Sequence, residues 1–278
     1  MRWKVILRSA SGLVGMSIVV AFVLVAVLAP WLAPRDPISQ DLTAGLRPPG
    51  TPGYPLGTDE LGRDLLTRLI FGARTSLAIA TSAIGFGLLI GLPLGIAAGY
   101  HGGLFDNVIT RTSDVLMGFP RMLLAIVIVA AQGIGFWSLV LAIGIPDIPI
   151  FARLARTSSR MVSQNDYVTA ARAIGSGGIR IMKRYVAPNM IGPIAVQAAF
   201  SMAAAILGAG GLSFLGFGVR SPTTEWGAML AQARSYMRDA VHLTLLPGLA
   251  ISIVILGINL LGDALRQVYD PRFRGRDI

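Results

Sequence analysis

Six apolar runs, separated by polar or glycine- and proline-rich stretches, set the pattern of this 278-residue chain. They fall at about Leu13–Leu32, Leu77–Tyr100, Phe105–Gln132, Phe136–Leu154, Ile194–Leu215 and Leu243–Leu265. Each approaches or exceeds the ~20 residues that an α-helix needs to cross a bilayer. The first run follows Arg2, Lys4 and Arg8, a start that a secretory signal peptide shares, but its length predicts an uncleaved first helix with the N-terminus inside.

Between the first two runs the pattern changes. From Ala33 to Tyr54 the chain carries Pro34, Pro37, Pro48, Pro49 and Pro52, with Pro55 just beyond, which predicts an external loop without regular structure. Thr58 then offers a helix N-cap, followed by Asp59 and Glu60 where the helix dipole favours acids. Leu61, Leu65, Leu66, Leu69 and Ile70 recur on one face opposite Arg63, Asp64, Thr67 and Arg68. This predicts an amphipathic helix on the outer surface that leads into the second run. The chain therefore divides into residues 1–33 with the first span, residues 34–76 outside, and a membrane core over 77–278.

Inside the core, Gly85, Gly87, Gly91, Gly95 and Gly99 put small residues four apart on the second span, so a neighbouring helix can come close. Ala203, Ala204, Ala205, Gly208, Gly210 and Gly211 do the same for the fifth, as a path-lining or helix-contact face. Arg111, Asp114 and Arg121 fall toward the cytoplasmic half of the third span, placed to cap the bundle or meet a partner. Asp147, between Pro146 and Pro149, is the one acid expected near mid-membrane. Its two readings are a proton relay or a helix-break residue satisfied by nearby backbone.

Composition agrees with the pattern. Hydrophobic residues make up 54% of the chain, charged residues 14%, and the mean hydropathy is +0.67; an ordinary soluble domain carries roughly a quarter charged residues. The fold class is thus an all-α integral membrane protein with six transmembrane helices. The net charge of +10 forms no basic stripe interleaved with aromatics, so nucleic acid is not the expected partner. By predicted side, sixteen of the 24 Lys and Arg lie inside and eight outside, which places both termini in the cytoplasm. There is no cysteine, and His101 and His242 are the only histidines. That removes disulfide frameworks, Cys/His zinc sites and thiol catalysis from the chain. The only lysines, Lys4 and Lys183, do not follow a glycine run of the kind that cradles phosphate. No Ser/His/Asp arrangement, HExxH or carboxylate pair points to an enzyme.

The most polar internal stretch runs from about Arg153 to Pro188. It holds Arg153, Arg156, Arg160, Arg172, Arg180, Lys183 and Arg184 against one acid, Asp166, and it belongs on the cytoplasmic side. Tyr167–Ile174 reads as a short helix whose Ala170 and Ala171 permit close approach to a partner. Gly175-Ser176-Gly177-Gly178 breaks it, and Ile179–Val186 reads as a second short helix. Gly175 is then the expected hinge.

The spacing of Ala170-Ala171, Gly175 and Pro188 resembles the EAA loop of ABC-importer permeases, with Thr169 in place of that family's glutamate and Tyr185 and Ala187 where isoleucine and leucine are usual. The string YPLGTDELGRDLLTRLIFGARTSLAIA, Tyr54–Ala80, is similar to a signature of the C-type permease of dipeptide and oligopeptide importers. So are Leu212-Ser213-Phe214-Leu215-Gly216-Phe217-Gly218 with Ser221-Pro222-Thr223-Thr224-Glu225-Trp226-Gly227, and Leu261-Gly262-Asp263-Ala264-Leu265-Arg266 with Asp270-Pro271-Arg272.

The resemblance implies a type I importer permease fold in the cytoplasmic membrane of a prokaryote. It implies a second homologous permease, two ATPase subunits or domains that bind ATP and Mg on chains other than this one, an extracytoplasmic substrate-binding protein, and short peptides as cargo. Nickel importers share the architecture. The ATPase would engage the loop through Asp166, Tyr167, Ala170, Ala171, Arg172, Gly175, Arg180 and Pro188, and a receptor would meet the external Ser221–Gly227 region. The alternative class, an ion-coupled transporter or channel, usually needs paired ionisable groups at mid-depth. Only Asp147 is expected there.

Overall fold

A computed structural model describes residues 9–269; Arg2, Lys4 and Arg8 and the tail with Asp270-Pro271-Arg272, Arg274 and Arg276 lie outside the described residues. Regular structure among the described residues is helical, apart from two isolated bridges, Thr51 with Tyr54 and Thr58 with Asp64. Among the described residues, five helices are long and apolar enough to cross a membrane. They are α1 (Ala10–Val27), α2 (Leu65–His101), α5 (Phe136–Ser163), α8 (Ile191–Phe217) and α10 (His242–Tyr269). A bent pair, α3 (Gly103–Gly118) and α4 (Arg121–Gln132), passes the same test taken together, as a broken span or a re-entrant loop. Short helices α6 (Asp166–Ala173), α7 (Gly178–Ile181) and α9 (Trp226–Ala233) lie in the connections.

The third span is not the single helix its apolar run predicts. α3 and α4 meet at 91°, because Pro120 lacks an amide hydrogen and forces the residue before it out of the helical region. Phe119 (φ −84°, ψ 137°) and Pro120 (φ −57°, ψ 121°) are both extended, which turns the corner.

Nor does Thr58 start a surface helix. Asp64 is the N-cap of α2, its Oδ2 accepting from the Thr67 amide at 2.8 Å and from the Thr67 hydroxyl at 2.6 Å. Residues 58–64 fold instead into a tight turn closed by the Thr58–Asp64 bridge. The polar face of the expected helix is the buried one: Arg63, Asp64, Thr67 and Arg68 are each no more than 3% exposed. Arg63 Nε donates to Asp59 Oδ2 at 2.6 Å, Arg68 also pairs with Asp59, and Arg68 Nη2 donates to Gln232 on α9 at 2.9 Å. The external turn is thus pinned to the bundle by a paired ionic network, in which the buried Arg68 Nε and Asp64 Oδ1 lack a hydrogen-bond partner.

The fourth span also exceeds its expected limits. A 3-10 turn, Ile145–Asp147, absorbs Pro146, and the helix continues to Ser163. Arg153, Arg156 and Arg160 therefore sit on its last turns and not in a loop. Arg156 makes a two-point pair with Asp106 of α3, and Arg153 Nη2 lies 2.7 Å from Asp114 Oδ1.

α2 and α5 are the most closely packed pair, and glycine is the reason. A Cβ placed at Gly91 would come within 2.6 Å of the Ile148 carbonyl oxygen; at Gly95 and Gly99 it would collide with the carbonyls of Ala152 and Arg156. Backbone-to-backbone approach of this kind replaces the hydrophobic drive that lipid cannot supply.

The ends of the helices sort into two sides. Gly15 near the start of α1 packs on Leu261 near the end of α10, and Gly192 near the start of α8 faces the Tyr269 ring. Those ends, the end of α2 and the connections over residues 166–189 share one side of the bundle. The loop through residue 64, α9 and the start of α10 share the other.

Candidate functional site

The basic segment after α5 folds as two short helices around a glycine turn. Asn165 is the N-cap of α6, its carbonyl accepting from the amides of Val168 and Thr169. At the other end Gly175 takes φ +82°, its amide donates to Arg172 O at 2.9 Å, and the Ser176 amide donates to Ala171 O at 3.0 Å. That pair of bonds is the Schellman ending of a helix, which favours glycine because a side chain is strained at positive φ. α7 follows from Gly178, continues as a π turn over Met182–Val186, and ends in the turn Ala187–Asn189 around Pro188.

One face of the segment is closed against the bundle. Val168, Ala171, Ile181, Val186 and Met190 are buried in a small core of their own with Ala155 of α5, and Leu92, Ile96 and Tyr100 of α2, Val162 of α5 and Ile194 of α8 pack around it. Arg172 stacks over the Tyr100 ring, and Tyr167 and Tyr185 approach with ring centroids 6.3 Å apart.

The opposite face is open. Asp166, Tyr167, Ala170, Arg172, Gly175, Arg180 and Pro188 are exposed, with Lys183 and Arg184 beside them. Ala171 is not: it is buried inside the chain, because it lies on the α6 face that carries Val168 and packs toward α5. The paired alanines therefore point different ways, and only Ala170 is available to a partner. Sequence reasoning missed the most prominent exposed apolar groups, Ile174 at 81% and Ile179 at 67%. Their signal was legible: two isoleucines in a cationic segment, each flanking the Gly175–Gly178 break. An apolar tip ringed by positive charge suits a cleft with an acidic rim on another protein.

The remaining sequence candidates lie elsewhere. Asp147 is fully buried, and its partner is Arg121 of α4, with Nη2 2.7 Å from Oδ1, not the backbone. Arg121 therefore belongs at the depth of the α5 turn and not at the cytoplasmic end. Trp226 and Glu225 pack inward. Glu225 caps α9 through the amides of Gly227 and Ala228 and accepts from Ser76, and the Trp226 indole donates to Leu69 O at 2.9 Å.

Comparison with known proteins gives consistent results. The family described as "Binding-protein-dependent transport system inner membrane component" matches residues 91–275, and the "N-terminal TM domain of oligopeptide transport permease C" matches residues 1–49. The di/tripeptide transport system permease protein DppC of Pseudomonas aeruginosa is 43% identical over 277 residues, covering 98% of this chain and 91% of that one. The dipeptide transport system permease protein DppC of Haemophilus influenzae is 37% identical, covering 98% and 94%. The glutathione transport system permease protein GsiD of Escherichia coli is 38% identical, covering 98% and 90%. Among solved structures, an inward-facing MetNI methionine ABC transporter superposes with a TM-score of 0.58 at 18% identity, covering 72% of this chain and 96% of that one, which is a likeness of fold.

Proposed function

The chain belongs to the binding-protein-dependent transport system inner membrane components, as a C-type peptide permease, and we propose that its basic cytoplasmic segment is the lever by which companion ATPases drive short peptides inward. It is a transmembrane subunit of an ABC importer of the peptide class. Relatives named for di/tripeptides, dipeptides and glutathione support small peptides as cargo over a nickel-type ion. A second homologous permease, two ATPase subunits or domains and an extracytoplasmic binding protein complete the assembly in the cytoplasmic membrane of a prokaryote. ATP and Mg are held, and ATP is hydrolysed, on the partner chains.

The observation that carries the lever is the two-sided character of the segment. Its inner face is locked into a small core shared with α2, α5 and α8, and its outer face offers Ile174 and Ile179 among arginines. Closure of the ATPase pair would shift the exposed tip. A close-packed core transmits the shift with little compliance, so α2, α5 and α8 would move as rigid bodies between inward- and outward-open packings. The glycine-lined α2–α5 contact would travel as one unit, because its backbones are already in contact. Asp166, Tyr167, Ala170, Arg172, Arg180 and Pro188 would form the docking surface around the tip, with Gly175 setting the angle between α6 and α7. Ala171 would hold the surface to the bundle.

Reconstitution of the chain with its companion subunits and binding protein tests this. Uptake of a di- or tripeptide into vesicles should require ATP on the ATPase side. Uptake that follows a proton or sodium gradient without nucleotide would replace this reading with an ion-coupled transporter.

A further inference from the structure

A cavity of about 180 Å³ opens between α4, α5 and α8, lined by Met122, Ala125, Ile143, Ala204, Leu207 and their neighbours. Arg121 is its one charged or polar lining side chain. The cavity lies deep in the membrane: Asp147, which holds Arg121, sits in the mid-helix turn of α5 beside Gly87, near the middle of α2. A cation at that depth is costly unless it is paired, and in transport proteins such groups mark the path of the cargo.

The geometry leaves Arg121 half-engaged. Its Nη2 donates to Asp147 Oδ1 at 2.7 Å, while Asp147 is 0% exposed and the Arg121 side chain is 42% exposed at the α3–α4 corner. A guanidinium has five N–H donors in a planar fork, and the bond to Asp147 occupies one edge of it. Arg121 also lines the apolar hollow, and its remaining donors have no partner among the described residues beyond that bond. A planar fork of this kind matches a carboxylate in two-point contact. With Asp147 beside it the pair is close to neutral overall, so a bound anion is held by directed donors and can leave again, as a transport site requires. The hollow is smaller than the roughly 300–1,000 Å³ that encloses a whole small ligand, so it suits one end of a molecule.

We propose that Arg121, steadied by Asp147, receives the C-terminal carboxylate of the transported peptide, with the terminal residue's side chain against the apolar walls formed by α4, α5 and α8. This rests on the reading of the chain as a short-peptide permease.

The experiment uses the complete transporter in vesicles and a pair of dipeptides, free acid and C-terminal amide, that the binding protein loads in both forms. Each is supplied at saturating loaded binding protein, so that the maximal rate reports the membrane step. The wild-type complex should move the acid faster by about tenfold or more, the range expected when a charged hydrogen-bond partner is removed. Arg121→Gln with Asp147→Asn, which leaves no lone buried charge, should bring the acid down to the amide rate. Arg121→Lys, which keeps the charge and loses the fork, should retain a reduced preference. Equal acid and amide rates in the wild type, or an undiminished preference in the double variant, overturns the assignment while leaving the permease reading intact. If neither variant assembles, the wild-type ratio alone decides. Absence of ATP-driven uptake of either form overturns the permease reading and the assignment with it.

Discussion

The guanidinium of Arg172 lies over the ring of Tyr100, 5.1 Å from its centroid, and so stacks the last turn of α6 on the last turn of α2. A Cβ on Gly178 would sit 3.2 Å from the same ring. Tyr100 thus stands between both short helices and the longest span. Replacing it with alanine removes a cation–π contact worth about 0.5–1 kcal/mol together with its packing. In Tyr100→Ala, ATP hydrolysis by the assembled complex should persist while peptide moved per ATP falls. Tyr100→Phe, which keeps the ring, should behave as wild type. Parallel uptake and hydrolysis assays separate the two.

Gly175 responds to backbone angle and not to space. No atom lies within 4 Å of a Cβ placed there, yet φ is +82°. An L side chain at such an angle costs about 1–2 kcal/mol, and asparagine tolerates it better than most. Gly175→Val should therefore uncouple hydrolysis from uptake in a complex that still reaches the membrane, and Gly175→Asn should retain most transport. Equal transport by Gly175→Val and wild type would refute the hinge.

The α2–α5 contact should be intolerant of a single methyl group. Gly91→Ala drives a carbon against the Ile148 carbonyl, and overpacking of that kind costs about 1–3 kcal/mol. A Cβ placed at Gly85, by contrast, would meet nothing within 4 Å. Gly85→Ala should be neutral or slightly stabilising through helix propensity. Thermal unfolding in detergent, run on the two variants side by side, distinguishes a packing effect from a general one.

Asp59 faces two buried guanidinium groups, those of Arg63 and Arg68. Asp59→Asn removes the charge both share, leaving Arg63 with Glu60 and Arg68 with Gln232, and breaking a buried pair in this way costs about 3–5 kcal/mol. Its unfolding midpoint in detergent should fall well below that of Glu60→Gln, because Glu60 lies nearer the surface and pairs only with Arg63.

The spans and their order were legible because membrane helices are selected by one long-range property, apolar length, which a linear pattern carries in full. The glycine stripe on α2 was legible for a similar reason, since spacing of four maps directly onto one helix face. The corner at Phe119–Pro120 was hidden inside a continuous apolar run, although Pro120 was the available signal. The start of α2 was misplaced because Thr58 and Asp64 are both competent caps, and only the engagement of Asp59 by Arg63 and Arg68 decides between them. The pairing of Arg121 with Asp147 joins residues on different helices, and no local periodicity encodes it. Within the basic segment, the helix–glycine–helix order was readable, but the inward turn of Ala171 depends on where α5 lies.

The position of Ile174 is the most direct test. The chain contains no cysteine, so a single introduced thiol reports alone. Ile174→Cys, at a site 81% exposed, and Leu42→Cys on the opposite side, at 75%, would be labelled with a membrane-impermeant reagent in inverted and right-side-out vesicles. The cysteine at 174 should label only from the cytoplasmic face and become protected when the ATPase subunits assemble, while the one at 42 labels only from outside. Labelling of position 174 from outside, or equal labelling with and without the ATPases, would contradict the lever.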